Sequence, residues 1–191
     1  MPAHRRERPL DLDELLDAAL ALVDAEGLEA LTMRRLAAAV GVEAMSLYHH
    51  VPSKEALLDL VVDRMRAEMR LPDNAPPDWA DALEAVFVEY RRVLAAHPNM
   101  LPLAARRTGT AGTSGLHYLV DQGIDPEVAV ELYQSLVAFT IGFSVVGSPL
   151  VEASWAGLPD ALGERLRDWR DSTFRRTLRV VMDGYRGDGG R

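Results

Sequence analysis

Two short helical patterns meet at Gly41, inside the stretch from Leu31 to Lys54. Thr32 can cap the first helix with its side-chain oxygen, and apolar residues follow it at helical spacing. Val42 then begins a second helix, which we expect to end near His50 and to leave small, polar and aromatic side chains on its outer face. This layout predicts a helix-turn-helix, whose second helix enters the major groove of DNA. An ordinary helical hairpin packed in a core is the alternative.

The composition limits the other functions that this chain could have. It has 191 residues and no cysteine, so disulfides, thiolate metal sites and thiol catalysis are excluded. The net charge of −8 argues at first against a DNA partner. Phosphate contacts, however, act within a Debye length of roughly 10 Å, and residues 31–54 carry Arg34, Arg35 and Lys54 against Glu43 alone. No apolar run follows the charged N-terminus, so a cytoplasmic protein is expected.

The stretch Pro126–Gly147 is apolar on nearly all sides, which requires burial on all sides or a membrane crossing. Glu127 and Glu131 shorten its uncharged run, and no loop shows a positive-inside bias, so the membrane reading is rejected. We expect the helix to be buried by pairing with a second chain. Another helix is predicted from about Asp160, and the last one from about Ser172 to Arg186.

Five segments of the first 70 residues follow the order of a known family: Ala18–Leu22, Glu26–Ala37, Val40–Val42, Ser46–Val51 and Lys54–Leu58. They span three helices and the start of a fourth, and they resemble the DNA-binding domain of the tetracycline-repressor (TetR) family. The second half is similar, more loosely, to the C-terminal domain of the same type, through His97-Pro98, Ala105–Thr108, Gln122–Ile124 and Phe139–Gly142. The resemblance implies an all-α fold, with a three-helix helix-turn-helix domain and a C-terminal helical bundle that binds a ligand and dimerises.

The domain boundary is expected in Leu71–Pro77, which holds three prolines. Residues 1–70 would form the DNA-binding domain, with an arm at residues 1–10 and a recognition helix at about 42–50. Residues 71–191 would form the ligand-binding and dimerisation domain.

The resemblance also implies roles for individual residues at the DNA. Phosphate contacts are expected from Tyr48, His50 and Lys54, and base-edge contacts from Arg34, Ala44, Met45, Ser46 and His49, with Thr32 completing the set. Apolar contact with thymine methyl groups is expected from Ala44 and Met45.

In the C-terminal half, the resemblance implies a ligand pocket and a dimer interface. The pocket residues expected are Phe87, Tyr90, Met100, Leu103, Arg106, Leu119, Leu136, Thr140 and Trp155, with Arg106 as the polar anchor. The interface residues expected are Leu132, Phe139, Phe143, Leu178, Val181 and Met182. Tetracycline-binding members place a histidine directly before a Gly-Thr-Arg segment, whereas Pro102–Ala105 stand before Arg106 here, so a metal–tetracycline ligand is not expected.

These features predict a homodimeric transcriptional regulator, a repressor that a small-molecule effector releases from a palindromic operator in double-stranded DNA. No metal site is predicted, because the adjacent His49 and His50 point roughly 100° apart on a helix and cannot chelate one metal together. No cofactor and no catalytic residue is predicted either. A helical-bundle enzyme or carrier with a merely structural helix-turn-helix is one alternative, and it would need a cluster of titratable groups in the C-terminal half. A ligand-independent DNA-binding dimer is the other, and no ligand would raise its thermal stability.

Overall fold

All regular structure that the computed structural model describes is helical; it describes residues 10–107, 113–148, 151 and 157–186. The helices are α1 (Leu12–Glu26), α2 (Met33–Val40), α3 (Ala44–Leu47), α4 (Lys54–Arg66), α5 (Trp79–Ala96), α6 (Leu101–Arg106), α7 (Thr113–Asp121), α8 (Pro126–Val146) and α9 (Asp160–Arg186). Short 3-10 turns at Leu28–Ala30 and Pro98–Met100 precede α2 and α6. The all-α fold predicted from the sequence is confirmed.

The starts of three helices follow from single capping residues. The side-chain oxygen of Thr32 accepts a first-turn N–H of α2 at 3.2 Å, and that of Ser53 accepts one from α4 at 3.1 Å. Asp78 accepts an N–H of α5 at 2.8 Å. Each cap provides a partner for an N–H group that has none inside its own helix. Local sequence therefore determines where these helices begin.

Two compact units divide the chain, and neither is continuous in sequence. The first consists of residues 1–68 and 99–107, and the second of residues 69–98 and 108–191. In the first unit, α1 packs against α2 and α4. Its core includes several fully buried side chains: Leu15, Leu31, Leu36, Leu47, Leu57, Val61 and Met65.

Polar contacts hold segment 99–107 to the rest of the first unit. The side-chain amide of Asn99 donates to the carbonyl oxygens of Val23 at 3.2 Å and Asp24 at 2.9 Å. Both carbonyls lie in the last turns of α1, and that of Val23 also accepts the backbone N–H of Gly27 at 2.7 Å. The segment therefore completes the C-terminal end of α1.

Arg107 connects the same segment to α4. Its guanidinium pairs with the carboxylates of Asp59 and Glu55, and these contacts, Asp59 first, raise the pKa of Arg107 above its ordinary value. The Arg107 side chain is only 17% exposed, whereas that of Glu55 is 75% exposed. Water screens an ion pair with so exposed a partner, so we expect this pairing to position α6 more than it stabilises the fold.

In the second unit, α8 packs against α5, α7 and α9. An aromatic cluster joins α8 to α9: the Phe174 ring lies parallel to that of Phe139 at 5.3 Å and edge-on to that of Phe143 at 5.2 Å. The guanidinium of Arg91 lies 5.0 Å from the Phe174 ring centre, within range of a cation–π interaction. By length and composition α8 could cross a membrane, a property that core helices of soluble proteins share.

Helix α9 runs without a break from Asp160 to Arg186, so the prediction of a separate helix starting at Ser172 is wrong. The sequence pattern suggested that Ser172 begins a helix. Its hydroxyl instead donates to the carbonyl of Asp168 at 2.7 Å, one turn earlier in the same helix. Ion pairs also join α9 to α5, since Glu84 pairs with Arg175 and Arg179.

Candidate nucleic-acid interface and ligand cavity

Helices α2 and α3 are joined by a left-handed turn at Gly41, with φ 71° and ψ 35°. The N–H of Val42 donates to the carbonyl of Ala37 at 3.0 Å, which closes the end of α2. A residue with a Cβ atom is strained at this φ, so glycine is the residue suited to the turn. The glycine turn that the sequence predicts is therefore present.

Helix α3 spans only Ala44–Leu47 and is therefore shorter than the recognition helix predicted at residues 42–50. Pro52 disfavours a helical conformation at Val51, so helical structure does not continue past His50. The turn continues to His50, whose N–H donates to the carbonyl of Leu47 at 2.9 Å. The predicted contact residues thus lie on a short helix and on the tighter turn that follows it.

The outer face of α3 and this turn is accessible, whereas its inner face is not. Leu47 and Val51 are fully buried and fix the segment to the core of the first unit. Met45 is 73% exposed and Tyr48 is 45% exposed. The other residues predicted to contact DNA are exposed (Thr32, Arg34, His49, His50, Lys54) or half-buried (Ala44, Ser46).

The cations near this face differ in their pairing. Arg35 donates to both carboxylate oxygens of Glu26 at 2.5 Å and thereby lowers the pKa of Glu26. Arg34 and Lys54 are exposed and make no ion pair with any residue of the described ranges. The charge available for phosphate groups therefore comes from Arg34 and Lys54. Residues 1–9 of the predicted arm lie outside the described ranges.

The second unit contains a cavity of about 340 Å³. One wall is the segment after α4, another is the start of α5, and α7 and α8 complete it. The residues that line it are Met69, Leu71, Pro72, Ala75, Pro76, Ala82, Leu83, Ala85, Val86, Ser114, Gly115, Tyr118 and Tyr133. Residues 71–77 are predicted from the sequence only as a domain boundary, so this wall is not anticipated, although its prolines are a signal of rigid backbone.

The residues predicted to bind a ligand lie elsewhere. Phe87, Tyr90, Leu119, Leu136 and Thr140 are buried in the second unit, Met100 and Leu103 are buried in the first, and none lines the cavity. Arg106, the predicted anchor, is exposed, and its Nε donates to the carbonyl of Pro102 in its own helix at 3.2 Å. Trp155 lies outside the described residues. The pocket predicted from the sequence stays a prediction, and the cavity is a separate feature.

The residues predicted for the dimer interface stay a prediction. Leu132, Leu178 and Met182 are fully buried within one chain and Phe143 nearly so, whereas Phe139 and Val181 are half-buried. Phe139 and Phe143 pack α8 against α9 in the same chain through their contacts with the ring of Phe174. The exposed residues of these helices that are apolar or small include Val130, Ala138, Gly142, Val145, Val146, Val180 and Gly184.

A carboxylate fixes the start of the segment that forms one cavity wall. The backbone N–H of Arg70 donates to Glu89 at 2.9 Å, as does the Nε of Arg92, and these contacts lower the pKa of Glu89. A carboxylate with a lowered pKa stabilises the folded state above its ordinary pKa of 4.5. That contribution is lost as the pH falls through the lower pKa of the folded state.

We expect Glu89→Gln to unfold at a lower temperature than the wild type at pH 7, because the charged acceptor is lost. The difference should shrink as the pH falls below 4.5, where the wild-type carboxylate also becomes protonated. Thermal unfolding of both proteins between pH 7 and pH 3 measures this. A difference that stays constant with pH would contradict the assignment.

Comparisons with known proteins give a consistent result. Residues 15–61 match the family described as bacterial regulatory proteins, tetR family. An HTH-type transcriptional regulator of Saccharopolyspora erythraea is 35% identical over 172 residues, which cover 85% of this chain and 72% of that protein. A TetR variant from Acinetobacter baumannii AYE, solved in complex with minocycline, superposes with a TM-score of 0.73 at 26% identity, over 96% of this chain and 100% of that one. The TetR family protein ActR of Streptomyces coelicolor, solved in complex with actinorhodin, superposes with a TM-score of 0.73 at 27% identity, over 96% of this chain and 100% of that one.

Proposed function

Since the chain belongs to the TetR family of bacterial regulatory proteins and is a DNA-binding transcriptional regulator, we propose that a small molecule releases it, as a dimer, from a palindromic operator. The exposed outer face of α3 and its following turn carries this proposal, because the buried Leu47 and Val51 hold that face rigidly outward. Two similar proteins were solved with minocycline and with actinorhodin, which supports a small-molecule effector. We place the regulator in the cytoplasm and assign it no catalytic role.

At the operator, we assign the phosphate contacts to Tyr48, His50 and Lys54. The base edges are met by Arg34, Ala44, Met45, Ser46 and His49, and Thr32 lies beside them at the start of α2. Met45 supports this assignment, since an apolar side chain that is 73% exposed gains by contact with thymine methyl groups. The net charge of −8 keeps non-specific binding to DNA weak.

Replacing Tyr48 and Lys54 together with alanine should weaken operator binding about tenfold or more. The slope of log affinity against log salt concentration should fall by the amount expected for about one phosphate contact. Fluorescence anisotropy at several salt concentrations measures both, with an operator selected from random DNA by the wild-type protein. Arg165→Ala, which removes an exposed cation near the start of α9, is the control and should leave affinity and salt slope unchanged. Equal affinity and slope for the double variant and the wild type would refute the assignment.

The dimer is proposed to form through the exposed faces of α8 and α9. Ala138, Gly142 and Val145 lie within about 60° of one another around the helix axis, so they share one face of α8, with Val130 and Val146 at its edges. The small residues at 138 and 142 allow a second helix to approach closely. Val180, which is 66% exposed, extends the apolar surface onto α9. Two helices from each of two chains would then form a four-helix bundle.

Release from DNA is proposed to act through α6 and α4. Segment 99–107 follows α5 directly in the chain, and Arg107 pairs with Asp59 and Glu55 of α4. A ligand that shifts α6 would therefore displace α4. A dimer reads successive major grooves only when its recognition helices lie about 34–36 Å apart, so a small displacement lowers operator affinity. The coupling is reciprocal, and operator DNA must weaken ligand binding by the same factor.

A further inference from the structure

The cavity of the second unit has no charged side chain in its described lining. Its polar side chains are those of Ser114, Tyr118 and Tyr133, and the other lining residues are apolar or glycine. Two acidic residues of α5 lie between lining positions, but Asp81 and Glu84 pair with Arg179 of α9 instead. Removing a charge from water without a partner is strongly unfavourable, so this lining disfavours a charged ligand.

The two sides of the cavity differ in their side chains. On the side of α5, Ala82 and Ala85 project only methyl groups between the larger Leu83 and Val86. On the other side, Pro72 and Pro76 fix the backbone of the wall, since the proline ring locks φ. Leu71 in the same wall is 45% exposed, which places the opening of the cavity at the solvent. Small side chains facing a rigid wall leave space for a flat molecule.

The aromatic ring of Tyr133 contributes a wall whose position is fixed from two sides. A Cβ atom at Gly115 would lie 2.3 Å from Cε2 of this ring, so the ring rests directly on the glycine backbone. The ring of Phe87 lies on it as well, with 5.5 Å between the ring centres. Tyr133 is 8% exposed. The cavity therefore offers a preformed aromatic surface, against which a ring of a ligand packs at little entropic cost.

We infer that this cavity binds an uncharged, flat, largely apolar ring compound, whose few oxygen or nitrogen atoms meet the hydroxyl groups of Ser114, Tyr118 and Tyr133. A volume of about 340 Å³ lies within the range of small-molecule sites. The inference rests on the proposed function, because it names the chemical class of the effector.

Two fluorescent probes test it, since they differ in charge and share one scaffold. N-phenyl-1-naphthylamine is neutral, and 1-anilinonaphthalene-8-sulfonate is the same molecule with a sulfonate. We expect the wild-type protein to bind the neutral probe saturably, with a Kd at least tenfold below that of the sulfonate. Ala85→Phe should fill part of the cavity and raise the Kd of the neutral probe at least tenfold. Ala95→Phe makes the same change at an exposed position of α5 and should leave the Kd unchanged.

Circular dichroism and thermal unfolding establish that Ala85→Phe is folded. If it is not, Val86→Phe, at the next lining position, replaces it, and the ratio of the two wild-type affinities tests the inference without any variant. Equal or tighter binding of the sulfonate would overturn the inference, as would equal affinities of Ala85→Phe and Ala95→Phe for the neutral probe. Operator binding by the ligand-free protein is measured separately, so a failure here is distinct from a failure of the proposed function.

Discussion

A carboxylate at position 138 should split the dimer into monomers and lower operator affinity by about a hundredfold or more. Ala138 is exposed near the middle of the α8 face that we assign to the interface. In a twofold-symmetric dimer, Ala138→Asp introduces two unpaired charges, because each chain contributes the same surface. Burying such charges costs several kcal/mol, and each 1.4 kcal/mol is a factor of ten in affinity. Sedimentation equilibrium at micromolar protein and anisotropy with operator DNA measure the two effects.

Ala95→Asp is the matched control, since it adds the same charge at an exposed position of α5 outside the proposed interface. It should remain dimeric and bind the operator normally. Phe139→Asp, which the sequence suggests first, is a poorer test because Phe139 stacks on Phe174 in its own chain. If that variant failed to dimerise, the cause could be either a disrupted interface or a disrupted fold within each chain. If Ala138→Asp stays dimeric at micromolar concentration, the interface lies on another face.

Phe174→Ala should lower the free energy of unfolding by about 3–5 kcal/mol, the usual cost of removing a buried phenylalanine ring. The ring is 2% exposed and contacts two other aromatic rings, those of Phe139 and Phe143. The guanidinium of Arg91 also loses its contact with the ring. Urea unfolding at one fixed protein concentration measures the change, since dimer formation makes apparent stability depend on concentration.

Leu162→Ala is the control for this variant, because Leu162 lies in the same helix and is 50% exposed. Its effect should stay within about 0.5 kcal/mol, as for most surface substitutions. A loss below about 1 kcal/mol in Phe174→Ala would show that the aromatic cluster contributes little to the core.

The helix starts and the glycine turn could be predicted because they depend on neighbouring residues. Thr32 and Ser53 cap their helices through backbone groups three positions away, and Gly41 adopts a conformation that its own lack of a Cβ permits. The continuity of α9 could not be predicted at Ser172, because a serine both caps helices and hydrogen-bonds within them. Only the surrounding structure decides between the two.

The side chains on the outer face of α3 were easier to predict than the cavity or the exposed faces of α8 and α9 for a similar reason. Positions 44–50 form one short segment, so the burial of Leu47 nearly determines which side chains face outward. The apolar residues of α8 and α9 occupy several faces of each helix. Periodicity shows that Phe143 and Leu178 are covered, but it does not tell whether their own chain or a partner covers them. The cavity wall from residue 69 to residue 76 has no periodicity at all.

The discontinuity of the first unit has a consequence for synthesis on the ribosome. Residues 69–98 are translated before Asn99 and Arg107, the residues that cap α1 and pair with α4. A nascent chain that ends at residue 68 therefore carries every residue of the proposed DNA contact surface, although its unit is incomplete. At the usual rate of about 5–20 residues per second, completion follows a few seconds later. The unit that reads DNA thus finishes folding only after α5, the first helix of the other unit, has been made.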